Sequence, residues 1–394
     1  MRMDEGMNIA VRRGPSPGSR MPVLVYRDRI APLSEAHFLR RQYLGFERLS
    51  PVWVGCRTDV GLPELGVQPL IVGRPGLAGI WDRILFRQFG VLPPVPDLRA
   101  LHPGIVHAQF GRGGTLALPI ARALGVPLVV TFHGGDATKQ RHHRRLGLPT
   151  IFRRRMGALK REAALFVCVS QFVRDRLEVL GFPAAKLRVI RLGVELQPLV
   201  EAPQPVEPPQ VVFVGRFIEK KGIPHLIEAA RLLAAKGRPV GVTLVGDGPQ
   251  AGALKQQARG IPGITFTGWL PSHEVRRHVR GALALCVPSV VSRDGDTDGL
   301  PTVILEAMAE GVPVIGSRQA GIAEAVDDRA TGLLVPPGDA QALAAAIETL
   351  VASPEQRRDM GLAARRAVEE RFNAISQSRL LEQTLMEITE KERT

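Results

Sequence analysis

The chain has 394 residues, more than one hydrophobic core usually supports, so two domains are expected. Hydrophobic residues make up 45% and charged residues 23% of the chain, which is typical of a soluble globular protein. No apolar run approaches the roughly 20 residues that span a bilayer, so no transmembrane helix is predicted, and the net charge of +14 favours an anionic partner.

Residues 1–20 contain scattered Arg, Asp, Gly and Pro without a continuous apolar core. This pattern predicts a loose, disordered tail and not a secretory signal. The cysteines Cys56, Cys168 and Cys286 lie far apart in apolar runs. Their spacing fits neither a metal site nor a disulfide framework, so we expect buried thiols in a cytoplasmic protein.

Short apolar runs rich in β-branched residues recur at spacings of roughly 20 to 35 residues, which is typical of strands covered on both faces. The predicted strands are 22–26, 52–54, 70–72, 105–107, 127–131, 165–169, 187–190, 211–214, 240–245, 264–267, 284–287, 313–315 and 333–335. Between them, 223–236 and 340–351 place Leu, Ile and Ala on one helical stripe. Strands alternating with helices predict an α/β fold of doubly wound, Rossmann-like domains.

Composition marks the boundary between the domains. The five prolines of 197–210 predict a stiff extended linker between an N-terminal domain, 21–196, and a C-terminal domain, 211–372. Residues 373–394 read as a separate C-terminal helix. Its apolar face is predicted to contain Leu380, Leu381, Leu385 and Ile388.

A basic segment lies between Lys139 and Arg161 and contains no acidic residue. Its cations are Lys139, Arg141, Arg144, Arg145, Arg153, Arg154, Arg155, Lys160 and Arg161. Charge runs usually form a solvated face, but uncompensated cations repel one another, and a bound anion would reduce this repulsion. A lipid headgroup, a diphosphate or a nucleic acid could be the anionic partner.

The segment VGRFIEKKG, 214–222, follows a predicted strand and precedes a predicted helix. Arg216 and Lys221 lie five residues apart across a glycine-bounded turn, at the strand end where open α/β sheets bind ligands. Both side chains are suited to phosphate oxygens, Arg as a fork and Lys as a movable point charge. The alternative is a solvated turn with ordinary surface cations.

The segment VGDGPQA, 245–251, matches the G-x-G-x-x-A dinucleotide fingerprint, which raises the alternative of an NAD-dependent oxidoreductase. That function needs an acid about 20 residues further on to hold the ribose. Residues 264–270 contain none, and the fingerprint stands in the second strand–helix unit of its domain instead of the first.

The aspartates of 294–298 open a segment that resembles the start of a calcium loop. The bidentate acid of such a loop would fall on Leu305, whereas Glu306 is one place late and Pro301 interrupts the loop. An Asp-x-Asp site for Mn²⁺ or Mg²⁺ is the other metal interpretation, and no second carboxylate cluster or histidine stands nearby in sequence. We expect no metal.

The preferred interpretation of this segment is a loop that ends at a helix N-terminus. Gly299 permits close backbone approach, and Pro301 suits the first helical position. The free N–H groups of the first turn would then face an anion. Glu306 is placed to accept the paired hydroxyls of a ribose, and Asp298 lies at the mouth of the loop. An Arg, a Lys and a helix N-terminus would together neutralise a leaving diphosphate without a metal ion.

At this point the sequence resembles the retaining glycosyltransferases of family four with the GT-B fold. The resemblance rests on VGRFIEKKG, VGDGP, FTGWLPSHEV, CVPS, DGLPTVILEAMAEGVPVIG and GLLVPPGD in the second half, and on TFHGGD, VCVSQFVRDRL and VIRLGVE in the first. It is weakest over 1–100. There Leu33, Ser34 and Glu35 resemble a stretch of the exopolysaccharide-type members, and the glycine-rich first loop of other members is missing.

The resemblance implies roles for individual residues. Arg216 and Lys221 would bind the donor diphosphate, Glu306 the donor ribose, and His133 would approach the donor sugar from the N-terminal domain. Asp298 stands where the family has a glutamate. The implied donor-binding set is Gly215, Arg216, Lys221, Gly246, Gly268, Trp269, Leu270, Asp298, Gly299, Leu300, Pro301, Thr302 and Glu306, and the implied catalytic set is His133, Asp298, Arg216 and Lys221.

The implied reaction moves a hexose, with retention and without metal or cofactor, from a GDP- or UDP-sugar to a glycan or polyprenyl-diphosphate-linked acceptor. The setting would be exopolysaccharide or cell-envelope synthesis at the inner face of the membrane. Acceptor and membrane contacts are assigned to Arg144, Arg145, Arg153, Arg154 and Arg155. No nucleic-acid partner is expected. The non-enzyme alternative is a basic lipid- or nucleic-acid-binding protein on a transferase fold.

Overall fold

The structure is a computed structural model. It describes residues 20–31, 39–59, 66, 68–92, 98–138, 151–198 and 209–392, together with the backbone of 144–145 and 148–149. Most of the predicted tail, the centre of the predicted linker, and Lys139 and Arg141 lie outside the described residues.

The N-terminal domain is built on a parallel sheet of seven strands, ordered β11-β10-β7-β6-β1-β3-β5. These are β1 (Met21–Tyr26), β3 (Leu49–Gly55), β5 (Leu70–Ile71), β6 (Ile105–Gln109), β7 (Leu128–Phe132), β10 (Leu165–Cys168) and β11 (Leu187–Val189). Two-residue strands form two small accessory sheets: β2 (Arg29–Ile30) with β4 (Arg57–Thr58), and β8 (Arg144–Arg145) with β9 (Leu148–Pro149).

The C-terminal domain contains a second parallel sheet of six strands, ordered β14-β13-β12-β15-β16-β17. These are β12 (Gln210–Val214), β13 (Gly241–Val245), β14 (Ile264–Gly268), β15 (Ala284–Val287), β16 (Val314–Ser317) and β17 (Gly332–Val335). Every residue of β13 and of β15 is buried, as expected of strands covered on both faces.

Helices cover both sheets. Those of the first half are α1 (Gly76–Phe89), α2 (Gly111–Leu124), α3 (Gly135–Thr138), α4 (Ile151–Glu162) and α5 (Gln171–Val179). Those of the second half are α6 (Ile223–Ala235), α7 (Ala251–Gln257), α8 (Ser272–Arg280), α9 (Thr302–Ala309), α10 (Ile322–Ala325), α11 (Ala340–Ala352), α12 (Pro354–Arg371) and α13 (Ala374–Lys391). Short 3₁₀ turns occur at Arg40–Tyr43, Ala184–Lys186 and Glu219–Lys221.

The prediction of two Rossmann-like domains is confirmed, and each predicted strand overlaps an observed one. The two-residue strands of the accessory sheets, β2, β4, β8 and β9, were not predicted, because pairs of residues carry no alternation. Pro301 caps helix α9 and does not occupy its first position, since Pro301 keeps an extended ψ of 114° and the helix begins at Thr302.

In both sheets the strand order reverses beside the first strand, between β1 and β6 and between β12 and β15. Ligands of open α/β sheets bind in the crevice that such a reversal opens at the carboxyl ends of the strands. The loop after β7 meets the loop after β15, since a Cβ on Gly299 would lie 2.5 Å from the His133 carbonyl oxygen and Thr138 donates to Asp296. The two crevices therefore face one cleft between the domains.

Helix α13 packs against the N-terminal domain. Ser378 accepts a hydrogen bond from the Gly45 amide at 2.9 Å, and Leu381 and Leu385 are buried in the core cluster that contains Val23. Ile388 packs against the same cluster. Leu380, predicted on this face, is exposed, because one residue along a helix turns its side chain by about 100°.

The predicted burial of the three cysteines is confirmed. Cys56, Cys168 and Cys286 are free and buried, and burial raises the pKa of the Cys56 thiol to about 11. Within the described ranges, no helix combines the length and the apolar character that a membrane crossing requires.

Candidate active site

A cavity of about 220 Å³ lies in the cleft, chiefly against the C-terminal domain. The predicted donor-binding residues that line it are Gly215, Gly246, Trp269, Leu270, Thr302 and Glu306. They come from the ends of β12, β13 and β14 and from the first turns of α9, so the reversal of strand order brings them together. The cavity also has N-terminal walls, from Arg41, Val194 and Glu195.

The glycines of the predicted dinucleotide fingerprint serve local packing. A Cβ on Gly246, whose φ is +129°, would lie 2.0 Å from the Gly215 carbonyl oxygen. A Cβ on Gly248 would lie 2.5 Å from the Phe217 carbonyl oxygen. The two glycines are therefore required because the turn after β12 crosses directly over the turn after β13. This explains the G-x-G spacing without a dinucleotide.

One end of the cavity is lined by residues that sequence reasoning missed: Ser272, Val275, Arg276, Val279, Ala309 and Glu310. Glu310 is nearly buried and pairs with Arg276 at 3.0 Å and with Arg280. Helix α8 places Arg276 and Arg280 one turn apart, on the face toward α9. The sequence does not predict these ion pairs, because charge pairs between two different helices leave no local pattern.

Glu306 lines the cavity and is ion-paired across the cleft. Arg41 Nη1 donates to Glu306 Oε1 at 2.7 Å, and Arg41 Nε lies 3.8 Å from Glu195. Arg41 belongs to the 3₁₀ turn of the N-terminal domain and was not predicted. The carboxylate assigned to the ribose therefore already has a cationic partner from the opposite domain.

Lys221 and Asp298 form a second ion pair, with Lys221 Nζ 2.9 Å from Asp298 Oδ2. Lys220 lies 3.2 Å from the other oxygen, and Ser289 donates to Asp298 at 2.8 Å. Burial alone would raise the pKa of Asp298, but Lys221 and Lys220 outweigh it and hold that pKa at about 2. The loop after β15 is therefore anchored to the turn after β12 by a buried carboxylate.

The neighbouring aspartates make protein contacts of the same kind. Asp296 lies 3.3 Å from Lys220 and accepts from Thr138 of the N-terminal domain at 3.2 Å, while Asp294 accepts from Ser292. Among the described residues, no three His, Cys, Asp or Glu side chains are grouped as metal ligands would be.

Arg216 is exposed at the carboxyl end of β12, beside the cavity wall formed by Gly215. Its side chain has no carboxylate partner among the residues that the structure describes. Unlike Lys221, it is therefore available to an anion without breaking an ion pair.

The loop that contains Gly299 approaches the other domain. A Cβ on Gly299 would lie 2.5 Å from the His133 carbonyl oxygen, and one on Gly134 would lie 2.6 Å from the Gly299 amide nitrogen. Gly299, Leu300 and Pro301 are buried here. The close backbone approach predicted for Gly299 thus exists, but it is an approach to the N-terminal domain.

His133 follows β7 and is connected to a chain of buried polar groups. Gln109 donates a hydrogen bond from its amide nitrogen to the Tyr43 hydroxyl at 2.6 Å. Its carbonyl oxygen, 2.7 Å from His133 Nε2, therefore accepts a hydrogen bond from the Nε2–H group. Tyr43 in turn contacts His107 at 2.8 Å. Burial, with the nearby Arg27 and His107, holds the pKa of His133 well below its usual range, so the imidazole is neutral.

Asp136 fixes the loop that presents His133. Its carboxylate accepts from the amides of His133 at 3.0 Å, Gly134 at 2.9 Å and Gly111 at 2.8 Å. Glu324 of the C-terminal domain similarly accepts from the Gln171 and Phe172 amides at the start of α5. Acids at the amide-rich ends of such turns satisfy donors that the backbone leaves open.

Of the predicted acceptor and membrane cations, Arg153 and Arg154 are exposed on α4. Arg155 is half-buried and donates to the Thr115 carbonyl at 3.2 Å. The side chains of Arg144 and Arg145 lie outside what the structure describes.

Two family models match the chain, each over one domain. Residues 51–198 match "Glycosyltransferase Family 4" and residues 208–353 match "Glycosyl transferases group 1". The amylovoran biosynthesis glycosyltransferase AmsK of Erwinia amylovora is 33% identical over 280 residues, which cover 68% of this chain and 66% of AmsK. The chain thus spans just under two thirds of the length of that relative.

The alpha-maltose-1-phosphate synthase of Mycolicibacterium smegmatis is 30% identical over 309 residues, which cover 71% of this chain and 77% of the synthase. The structure of Anabaena HepE in complex with UDP superposes with a TM-score of 0.73 at 17% identity, over 94% of this chain and 100% of HepE. At that identity the superposition establishes the GT-B fold alone. The matched domains and relatives together place the chain in glycosyltransferase family 4.

Proposed function

We propose that the protein transfers a hexose from a nucleotide-diphosphate sugar, GDP- or UDP-linked, to a glycan or polyprenyl-diphosphate-linked acceptor in exopolysaccharide or cell-envelope synthesis. The observation that carries the proposal is the cavity at the switch point of the C-terminal sheet, lined by Gly215, Gly246, Trp269 and Glu306. Its apolar walls suit a base, and Glu306 suits ribose hydroxyls. Support also comes from relatives named as biosynthetic glycosyltransferases and from HepE, whose structure contains UDP.

The charges beside the cavity suit a diphosphate. Arg216 is exposed at one side, and Lys221 is placed on the same turn. Both would stabilise the negative charge that develops on a leaving diphosphate, together with the amides at the start of α9. We therefore propose that no metal ion is needed.

The proposed transfer retains the configuration of the anomeric carbon. The bond from that carbon to the β-phosphate oxygen breaks, and the diphosphate leaves with the electron pair. The acceptor hydroxyl oxygen bonds to the carbon on the same face, and its proton passes to the departing phosphate. Neutral His133 lies at the N-terminal side of the cleft, where its role would be to orient the donor sugar, and the protein contributes positioning and exclusion of water.

The acceptor is proposed to reach the cleft from the N-terminal domain. The exposed Arg153 and Arg154 would attract either an anionic lipid surface or the diphosphate of a lipid-linked acceptor. We propose that the enzyme works peripherally at the cytoplasmic face of a membrane.

The proposal is tested with a panel of GDP- and UDP-sugars. We expect one donor to raise the melting temperature and to be hydrolysed slowly without acceptor, in excess EDTA as well as without it. The variant Glu306→Gln should lose most of this shift, while Glu348→Gln, on the distant helix α11, should keep it. Absence of any shift across the panel would refute donor binding, and full loss of hydrolysis in EDTA that Mn²⁺ or Mg²⁺ restores would refute the metal-free mechanism.

A further inference from the structure

Helix α1 exposes a broad apolar face on the N-terminal domain. Leu77, Trp81 and Phe89 are 81%, 67% and 72% exposed, and Ile80 and Ile84 are exposed as well. These residues recur at the three- and four-residue spacing of one helical face, which in a globular protein normally turns toward the core. A contiguous exposed apolar face of this size marks an interaction surface.

The opposite face of the helix is the one that packs. Gly79, Asp82 and Phe86 are its buried residues, and Asp82 is held by Arg74 through paired hydrogen bonds at 2.9 Å. Asp82 is also the only acid in the sequence of α1. The exposed face therefore contains no negative charge.

The border of this face is positively charged. Arg83 lies on its flank, and the helix ends at Phe89, before Gly90. The Arg155 guanidinium lies beside Gly90, since an added Cβ there would lie 2.9 Å from Nη2. Arg155 belongs to helix α4, which exposes Arg153 and Arg154. Protein-binding surfaces usually have a polar rim of mixed character, whereas an apolar face with aromatic residues and a cationic border is typical of interfacial helices.

We propose that the exposed face of α1 inserts into the surface of an anionic lipid bilayer, with Arg83, Arg153 and Arg154 at the level of the headgroups. Trp81 and Phe89 suit the boundary between headgroups and acyl chains, since aromatic rings are enriched there. The arginines supply attraction to anionic lipid, and the apolar face supplies a contact that salt does not screen.

The same contact orients the cleft. Arg87 of α1 pairs with Asp28 at 2.8 Å, and Arg112 approaches Asp28 at 3.8 Å. Asp28 follows β1 at the carboxyl edge of the sheet, the edge at which His133 also lies. Insertion of α1 would thus hold the acceptor side of the cleft close to the lipid. That last point rests on the proposed function, whereas the insertion itself does not.

The test uses the full chain and vesicles of phosphatidylcholine and phosphatidylglycerol in equal parts, with phosphatidylcholine alone for comparison. On anionic vesicles we expect the tryptophan emission to shift to shorter wavelength and to be quenched by lipids brominated on their acyl chains. Trp81→Phe should abolish both changes. The triple variant L77S/W81S/F89S should partition into the vesicles about tenfold less, because exposed apolar groups no longer enter the lipid. Leu362→Ser, a half-exposed leucine of α12, is the matched control and should partition as the wild type does.

Replacing Arg153 and Arg154 with Glu should remove the preference for anionic vesicles. Binding without quenching of Trp81, or unchanged partitioning of the triple variant, would overturn insertion by α1. Self-association that the triple variant abolishes, without a vesicle effect, would identify a second copy of the chain as the occupant and would equally overturn the proposal. Nucleotide affinity, measured in the same variants, separates these outcomes from a failure of the proposed transfer function.

Discussion

Arg41 and Glu306 join the two domains across the cleft through an ion pair of 2.7 Å between Nη1 and Oε1. The Arg41 side chain is 15% exposed and that of Glu306 is 35% exposed, so water reaches the pair from the side of the cavity. The ribose that we propose to bind Glu306 would compete with this arginine. Donor binding at this carboxylate would therefore be coupled to the contact between the domains.

We expect Arg41→Gln to bind GDP or UDP about two- to fivefold more tightly, because the ligand no longer displaces a partner worth about 0.5–1 kcal/mol. Titration calorimetry measures the change. Arg40→Gln, the exposed neighbour, should bind as the wild type does. Weaker binding by Arg41→Gln would mean that the arginine contacts the nucleotide itself.

Arg216→Ala and Lys221→Ala should each weaken nucleotide-diphosphate binding by about 1.5–3 kcal/mol, the range of charge-assisted hydrogen bonds. The sequence alone predicts that both residues are dispensable for folding.

The structure indicates instead that Lys221 contributes to stability, since its removal leaves the buried Asp298 carboxylate with one cation fewer. We expect a lower melting temperature for Lys221→Ala only. Arg259→Ala, an exposed arginine of the same domain, should change neither quantity, and unaltered affinity in the double variant would place the diphosphate elsewhere.

The pKa of Asp298 is about 2 in the folded protein, against an ordinary value of 3.8 for an aspartate exposed to water. A carboxyl with a depressed pKa stabilises the fold above its unfolded pKa, and this contribution disappears as the pH falls from 3.8 toward 2. Asp298→Asn should therefore lower the free energy of unfolding by about 2 kcal/mol at pH 7 and by little near pH 2. Denaturant titrations at both pH values check this. Asp359→Asn, on the surface of α12, serves as control, and a pH-independent loss for Asp298→Asn would assign it to packing.

Asp298 and Glu306 should affect the donor differently. Glu306→Gln is expected to weaken the binding of free nucleotide and of intact donor equally, because its carboxylate lines the cavity that we propose to hold the nucleotide. Asp298→Ala is expected to change the preference among donor sugars. Competition assays with free nucleotide and with several donors distinguish the two profiles. Identical profiles would refute these separate roles. Asp298 is already ion-paired with Lys221, so the assay tests its proposed contact with the sugar most directly.

Gly299→Ala tests the backbone contact between the domains. Its Cβ would meet the His133 carbonyl at 2.5 Å, so the loop must move away from the N-terminal domain. We expect transfer to fall more than tenfold while nucleotide affinity changes less than threefold, because about 1 Å of misplacement suffices to cost a large factor in rate. Gly252→Ala is the matched control, since no atom lies within 4 Å of its Cβ position. A parallel loss of affinity would show that the substitution damages the C-terminal domain.

The parts of the site that local patterns encode were predictable. The strands are continuous apolar runs, and the turns after them contain Gly215 and Gly246, which line the cavity, and Arg216, which lies beside it. Arg41 was not predictable, because 265 residues separate it from Glu306. The chain of hydrogen bonds from His133 through Gln109 to Tyr43 likewise depends on residues that only the sheet brings together.

Helix α1 shows a different limit. Its apolar periodicity is evident in the sequence, but periodicity does not reveal which stripe faces the core. The packed stripe contains Gly79 and Asp82, which sequence reasoning would place outside. The hydrogen bonds from Arg74 stabilise the Asp82 carboxylate on the buried face. The apolar stripe therefore faces outward.

The return of helix α13 to the N-terminal domain has a consequence for biosynthesis. The Glu382 carboxylate accepts hydrogen bonds from the amides of Glu47, Arg48 and Leu49, and 333 residues separate Glu382 from Leu49. Leu381 and Leu385 complete the core on the same side. The N-terminal domain leaves the ribosome first, but its packing is complete only after helix α13, which follows the whole C-terminal domain, has been synthesised. In the nascent chain the amides of Glu47, Arg48 and Leu49 lack their Glu382 partner until that point. Premature termination within α13 would therefore destabilise the N-terminal domain.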